Sequence, residues 1–215
     1  MTALSLNEVE TLAAKVGRGA GFSWGLAEEI GRGARRLAQG GLPWAEALLA
    51  LAESADGLKT PSPIQAQRWR ERRSEPSGHA SLCPVRVAAL LIDDPTILQA
   101  GPLRLDNVAV PIWIAGLLAA SSAADGFEVA WPEALALVGR QGVLAETPTG
   151  DWLAPAADVR ISPAAAPLTA SPPLRRALAD DAVLAALGSF AVRVYVPASA
   201  DSRAKGAGGG SVDDE

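Results

Sequence analysis

The first fifty residues carry apolar positions at helical spacing, and the pattern changes after them. Leu6, Val9, Leu12, Ala13 and Val16 fall on one helical face. Ser5-Leu6-Asn7-Glu8, in front of them, is a capping box. The Ser5 hydroxyl can accept the Glu8 amide proton while the Glu8 carboxylate reaches back to the Ser5 amide, and Leu4 and Val9 sit where a hydrophobic staple would close. Gly17 is expected to end this helix. Ser23 suits the N-cap of a second helix that turns Leu26, Ile30, Ala34 and Leu37 inward. Glu28 and Arg32 are spaced as an i,i+4 pair on its outer side, and Gly40 and Gly41 stop it. Pro43 fits the first position of a third helix, Trp44 to Glu53, with Leu48 and Leu51 facing in.

From Ala55 to Leu82 the composition shifts to Pro, Gly, Ser and Arg, with Gln65 to Arg73 as one exposed helical piece. Beyond it, Val85 to Ile92 reads as a buried strand, Asp94-Pro95 opens a short helix, and Leu103 to Val110 is a second strand. Pro111 to Ala124 reads as a packed helix, although Ile112 and Ile114 leave a strand open. Phe127 to Trp131, Ala134 to Val138, Val143 to Glu146 and Val159 to Ile161 are short strands between Gly or Pro turns. Ser162 to Pro173 is a loop. A helix over Leu174 to Leu187, broken near Asp180, and an extended segment over Val192 to Val196 complete the ordered part. The expected fold is α+β: an N-terminal three-helix unit (1–54), a Pro/Arg-rich linker (55–82), a mixed α/β core (83–200) and a glycine-rich, acidic, mobile tail (201–215).

Composition adds limits to this outline. At 215 residues, 49% hydrophobic and 20% charged, the chain can bury a core without staples. Aromatics are only 5%, so a core of Ala, Leu and Val should use thin helices that approach closely, with six Trp filling the larger gaps. A net charge of −5 gives no general attraction to nucleic acid or anionic lipid. One Cys and one His allow neither an internal disulfide nor a Cys/His zinc site. No cofactor or metal is therefore expected. The longest uncharged stretch, Val108 to Ala124, is interrupted by Pro111 and Gly116 and is too short for a membrane span. MTALSLNEVE lacks the basic and apolar regions of a signal peptide, which implies a cytoplasmic protein.

Short motifs give little chemistry. Gly17 to Gly25, GRGAGFSWG, superficially matches a dinucleotide fingerprint, but a helix and not a strand delivers it, so a helix–turn–helix reading is preferred. Gly206 to Ser211 lacks the lysine of a phosphate-binding P-loop, and Ser202 to Lys205 matches S-x-x-K without its partner motifs. His79 and Cys83 flank a linker where their spacing does not unite them, leaving Cys83 a buried thiol. Arg68 to Arg73 is a short basic cluster suited to a solvated face or to docking. Asp93 and Asp94 could do acid/base work at the end of a strand, although Asp94 before Pro95 as a helix start is the preferred reading.

SLNEVETLAAKVGRGAGFSWGLAEEIGRGARRL near the start and YVPASADSRAKGAGG near the end together resemble a bacterial family known as a domain of unknown function. The resemblance implies no activity and no catalytic residue. It does imply that the C-terminal segment is more than an arbitrary linker, through Tyr195, Pro197, Ser199, Ser202, Arg203 and Gly206 to Gly208.

Two functional expectations remain. The first is a non-catalytic small-molecule-binding or accessory protein of the cytosol, with a small anionic metabolite or a protein as partner and no nucleic acid or membrane. Tyr195, Ser199, Ser202, Arg203, Gly206 and Gly208 are its candidate ligand contacts. The alternative is a metal-independent enzyme acting on a small anionic metabolite, with Asp93 and Asp94 as acid/base candidates. The first is preferred because no nucleophile–base or metal constellation is visible.

Overall fold

The computed structural model describes residues 1–58, 60, 81–99, 101–121, 126–139, 142–145, 147, 150–164 and 173–195. The chain opens with a short strand, β1 (Thr2–Ser5), followed by α1 (Leu6–Gly19), α2 (Trp24–Gln39) and α3 (Trp44–Ser54). The capping box forms as its residues dictate: the Ser5 amide donates to the Glu8 carboxylate at 2.7 Å and the Glu8 amide to Ser5 Oγ at 3.3 Å. Val9, Ala13 and Val16 are buried, and Leu6 and Leu12 pack against that core. Gly17 does not end the helix, which runs to Gly19 before turning at Gly21, where φ is 96°. Ser23 caps α2 by accepting from the Leu26 amide, and Gly40 closes it. Pro43 is the N-cap of α3 and not its first helical residue.

α4 (Pro84–Asp93) corrects the strand expected over Val85 to Ile92. An eight-residue, mostly apolar run suits either state, and Pro84 in the first turn presets helical φ. α5 (Thr96–Gln99) follows, then β2 (Leu103–Ala109) and α6 (Ile112–Ala120). Ile112 to Ala119 are all buried, so α6 is a central helix with no solvent face, as its unbroken hydrophobicity requires. Trp113 at its start donates Nε1–H to the Ala47 carbonyl of α3 at 2.9 Å.

Strands β3 (Phe127–Trp131), β4 (Ala134–Gly139), β5 (Gly142–Ala145) and β6 (Ala156–Pro163) join β2 in an antiparallel sheet of order β2-β6-β3-β4-β5. Alternation puts Phe127, Val129 and Trp131 in the core, with Val129 opposite Ala136 on one side and Ile161 on the other. The sheet packs on α6 through β4 and β5, and α6 packs on α2. A bulge interrupts β2 between Leu105 and Val108. There Asn107 takes a φ of 49°, and its amide donates to Asp158 Oδ1 at 3.0 Å.

The segment expected as one broken helix from Leu174 to Leu187 is a strand and a helix: β7 (Arg176–Ala179) and α7 (Asp181–Ala191), capped by Asp180. β7 pairs antiparallel with β1, Ala3 opposite Leu178, in a separate two-stranded sheet. α7 returns the chain to α1 and α3. Val192–Val194 is a 3-10 turn where an extended segment was expected, because it continues the last turn of α7 directly. The fold is α+β, with the N-terminal helices on one side of α6 and the larger sheet on the other.

Candidate functional site

α1 and α2 form an antiparallel hairpin whose two long sides differ. On the inner side small residues bring the backbones together. A Cβ at Gly31 would stand 2.8 Å from the Glu10 carbonyl oxygen, and one at Gly17 would stand 3.0 Å from Ile30 Cδ1. On the outer side the two helices line a cleft of about 620 Å³. Its walls come from α1 (Asn7, Glu10, Thr11, Ala14, Lys15, Arg18), α2 (Trp24, Ala27, Glu28, Arg32) and Val194.

The charges divide along the cleft. Toward the N-terminus of α1, Glu10 is paired with Arg35 at 2.9 Å, and Arg35 also donates to Asn7 Oδ1 at 2.7 Å. Arg32 is shared between Glu28 at 3.6 Å and Glu29. At the other end, Lys15 and Arg18 have no carboxylate partner among the described residues. Lys15 Nζ donates to the Tyr195 hydroxyl at 2.8 Å and lies 5.5 Å from that ring's centre. Arg18 donates through Nη1 to the Phe22 carbonyl, and its guanidinium carbon lies 4.4 Å from the centre of the Trp24 ring. Its Nε is shielded from solvent with no hydrogen-bond partner among the described residues. Two cations one turn apart, held by neighbours that leave their charge unanswered, form an anion-receptive end.

α2 begins at this same end, and its first turn carries no acidic residue. Its positive N-terminal dipole therefore adds to Lys15 and Arg18 and is not cancelled by a side chain.

Tyr195, named from the sequence, is not among the lining residues but accepts from Lys15, which is, and follows Val194 in the chain. Ser199, Ser202, Arg203, Gly206 and Gly208 lie outside the described residues, as do His79 and the Arg68 to Arg73 cluster. Asp93 and Asp94 do not line the cleft. Asp94 accepts from the Thr96 amide at 3.2 Å and from the Thr96 hydroxyl, which is the work of a helix cap. Cys83 is buried just before α4, and burial pushes its thiol above the ordinary range, away from nucleophilic use. Among the described residues no three His, Cys, Asp or Glu come together as a metal site.

Lys15, Arg18 and Trp24 were not singled out by sequence reasoning. The signal was available in part: two cations at i,i+3 on the polar face of α1, and a Trp at the first position of α2 where no core needs it. The Gly17 to Gly25 stretch that supplies two of the three is the turn of a helical hairpin, as its helix–turn–helix reading required.

The described residues thus define an α+β protein with a polar cleft on a helical hairpin, and no helix among them is long and apolar enough to cross a membrane. Residues 4–85 match the model of a family described as "Protein of unknown function (DUF3726)". That segment contains the whole hairpin, so every cleft residue except Val194 falls within it. No curated protein and no solved structure matches the chain.

Proposed function

We propose that the protein is a non-catalytic binding protein of the cytosol and that the α1–α2 cleft holds a small anionic ligand. The observation that carries this reading is the pair Lys15 and Arg18, which line the cleft with no carboxylate among the described residues to neutralise them. An ammonium and a guanidinium so placed each offer a charge-assisted hydrogen bond, typically about 1.5–3 kcal/mol. The volume suits a metabolite-sized molecule. Among the described residues no His, Cys or Ser lines the cleft, and the carboxylates that do, Glu10 and Glu28, are engaged with arginines, which favours binding over turnover. The chain's charge of −5 disfavours nucleic acid as the anion.

Thermal unfolding with inorganic phosphate, citrate and acetate, at matched ionic strength, tests the reading. Stabilisation by at least one of these anions is expected, and Lys15→Met should weaken it about tenfold or more. Arg203→Ala asks whether the C-terminal residues share the ligand. If no anion stabilises the protein at millimolar concentration, the proposal is wrong. Chemical change of a bound ligand would favour the alternative, a metal-independent enzyme.

A further inference from the structure

Resting on that reading, we infer that the cleft selects an aromatic carboxylate, its carboxylate on Lys15 and Arg18 and its ring against Trp24. Trp24 is the first residue of α2 and leaves 64% of its surface exposed. It takes no part in the hydrophobic core. Nor is it there for the helix, since tryptophan is a poorer helix former than alanine or leucine. A large ring held at the edge of a cleft is surface kept for something that is planar and apolar.

Arg18 links that ring to the charge. Its guanidinium lies against the indole, and the Phe22 carbonyl holds Nη1, so the cation and the ring are fixed relative to each other before a ligand arrives. Such preorganisation lowers the ordering cost of binding. With Nη1 committed, the edge left over is the Nε–Nη2 fork, the side of arginine that matches a carboxylate with two parallel hydrogen bonds. Nε is the donor found without an acceptor. A shielded donor with no partner among the described residues costs free energy until something accepts from it.

The remaining walls narrow the choice. An inorganic anion would meet the cations and leave Trp24 in water, while a neutral aromatic molecule would leave the charges unanswered. Glu10 and Glu28 already occupy Arg35 and Arg32, so the cations left for a ligand are Lys15 and Arg18, which suits a single carboxylate. One carboxylate on one ring satisfies the basic end without reaching the acidic one.

The test is a set of calorimetric titrations of the full chain with 2-naphthoate, cyclohexanecarboxylate, acetate and inorganic phosphate, repeated on Trp24→Leu and Lys15→Met. Naphthoate is expected to bind about five- to tenfold more tightly than cyclohexanecarboxylate. In Trp24→Leu, whose exposed position leaves folding intact, the two should come within about twofold. Lys15→Met should weaken both carboxylates together. Equal affinities in the parent protein, or an aromatic preference that survives Trp24→Leu, would overturn the inference. If phosphate or acetate binds while naphthoate binds no better, the aromatic selection fails and the anion-binding reading stands. If none of the four binds, both fail.

Discussion

Between the helices of the hairpin, and between the hairpin and α7, backbones come close because side chains are missing; in the five-stranded sheet the backbones keep their distance and side chains fill the gap. A Cβ at Gly19 would stand 1.8 Å from the Phe190 carbonyl oxygen, and one at Gly116 would stand 2.8 Å from Leu37 Cγ. Strands cannot close up in this way, because ladder hydrogen bonds hold them about 4.8 Å apart. The sheet therefore relies on Val129, Ile161 and Val138 to fill its face. A helical contact made of glycine admits no added atom, whereas a sheet face loses stability in proportion to what is taken away. The same close approach gives the cleft a rigid floor, since α1 and α2 cannot slide while Gly17 and Gly31 stay in contact with their neighbours.

The largest effect that would break this comparison is at Gly19. Gly19→Ala drives a methyl into a backbone oxygen that no rotamer change can move, and it should cost about 3–5 kcal/mol or abolish folding. Urea unfolding followed by circular dichroism measures it. On the sheet side, Val129→Ala removes two buried methyl groups and should cost about 2 kcal/mol in the same assay. If Val129→Ala proved the more damaging of the two, the distinction between helical and sheet packing drawn here would be wrong.

A smaller effect separates the bulge from the regular ladder. The Asn107 amide, first, and the Arg104 guanidinium at 2.9 Å hold the Asp158 carboxyl below the ordinary aspartate range. A depressed carboxyl contributes stability that is fully present above the unfolded value of about 3.9 and is lost as the pH falls through the folded one. Asp158→Asn should thus destabilise by about 0.5–1 kcal/mol near neutrality, a modest figure because both partners of the ion pair are well exposed. The difference from the parent should shrink below about pH 4. A difference that stays constant down to pH 2 would remove the carboxylate from the explanation.

The smallest effect has the opposite sign. Gly188 lies inside α7, and no other side chain or neighbouring element among the described residues comes within 4 Å of a Cβ built there. Gly188→Ala should stabilise by about 0.5–1 kcal/mol through the unfolded chain, one turn of the helix or less from the contact that forbids the same change at Gly19. A loss at Gly188 would mean that α7 is as tightly packed as the hairpin.

Much of the fold was legible because it is locally encoded. Ser5 and Glu8, Ser23, the inward faces of α1 to α3 and the strands from Phe127 to Ala145 follow from spacing and caps alone. The failures share a cause. Val85 to Ile92 is apolar enough for either state, and β1 and β7 are four residues each, stable only because they meet across the length of the chain. Nothing near Arg176 to Ala179 names Thr2 to Ser5 as its partner.

The candidate site divides in the same way. The sequence by itself determined the capped, amphipathic start of α1, the glycine-rich turn after it and the start of α2 at its Ser23 cap. It also pointed to Tyr195, through a resemblance and not through periodicity. Only the tertiary structure decided that Lys15, Arg18 and Trp24 line one cleft and that Tyr195 bonds to Lys15. Trp24 comes to lie against Arg18 because the hairpin folds back at Gly21, and Tyr195 reaches Lys15 because α7 returns to pack on α1. Periodicity reports which face of a helix meets solvent; which distant groups gather over that face is set by long-range packing, which no local pattern encodes.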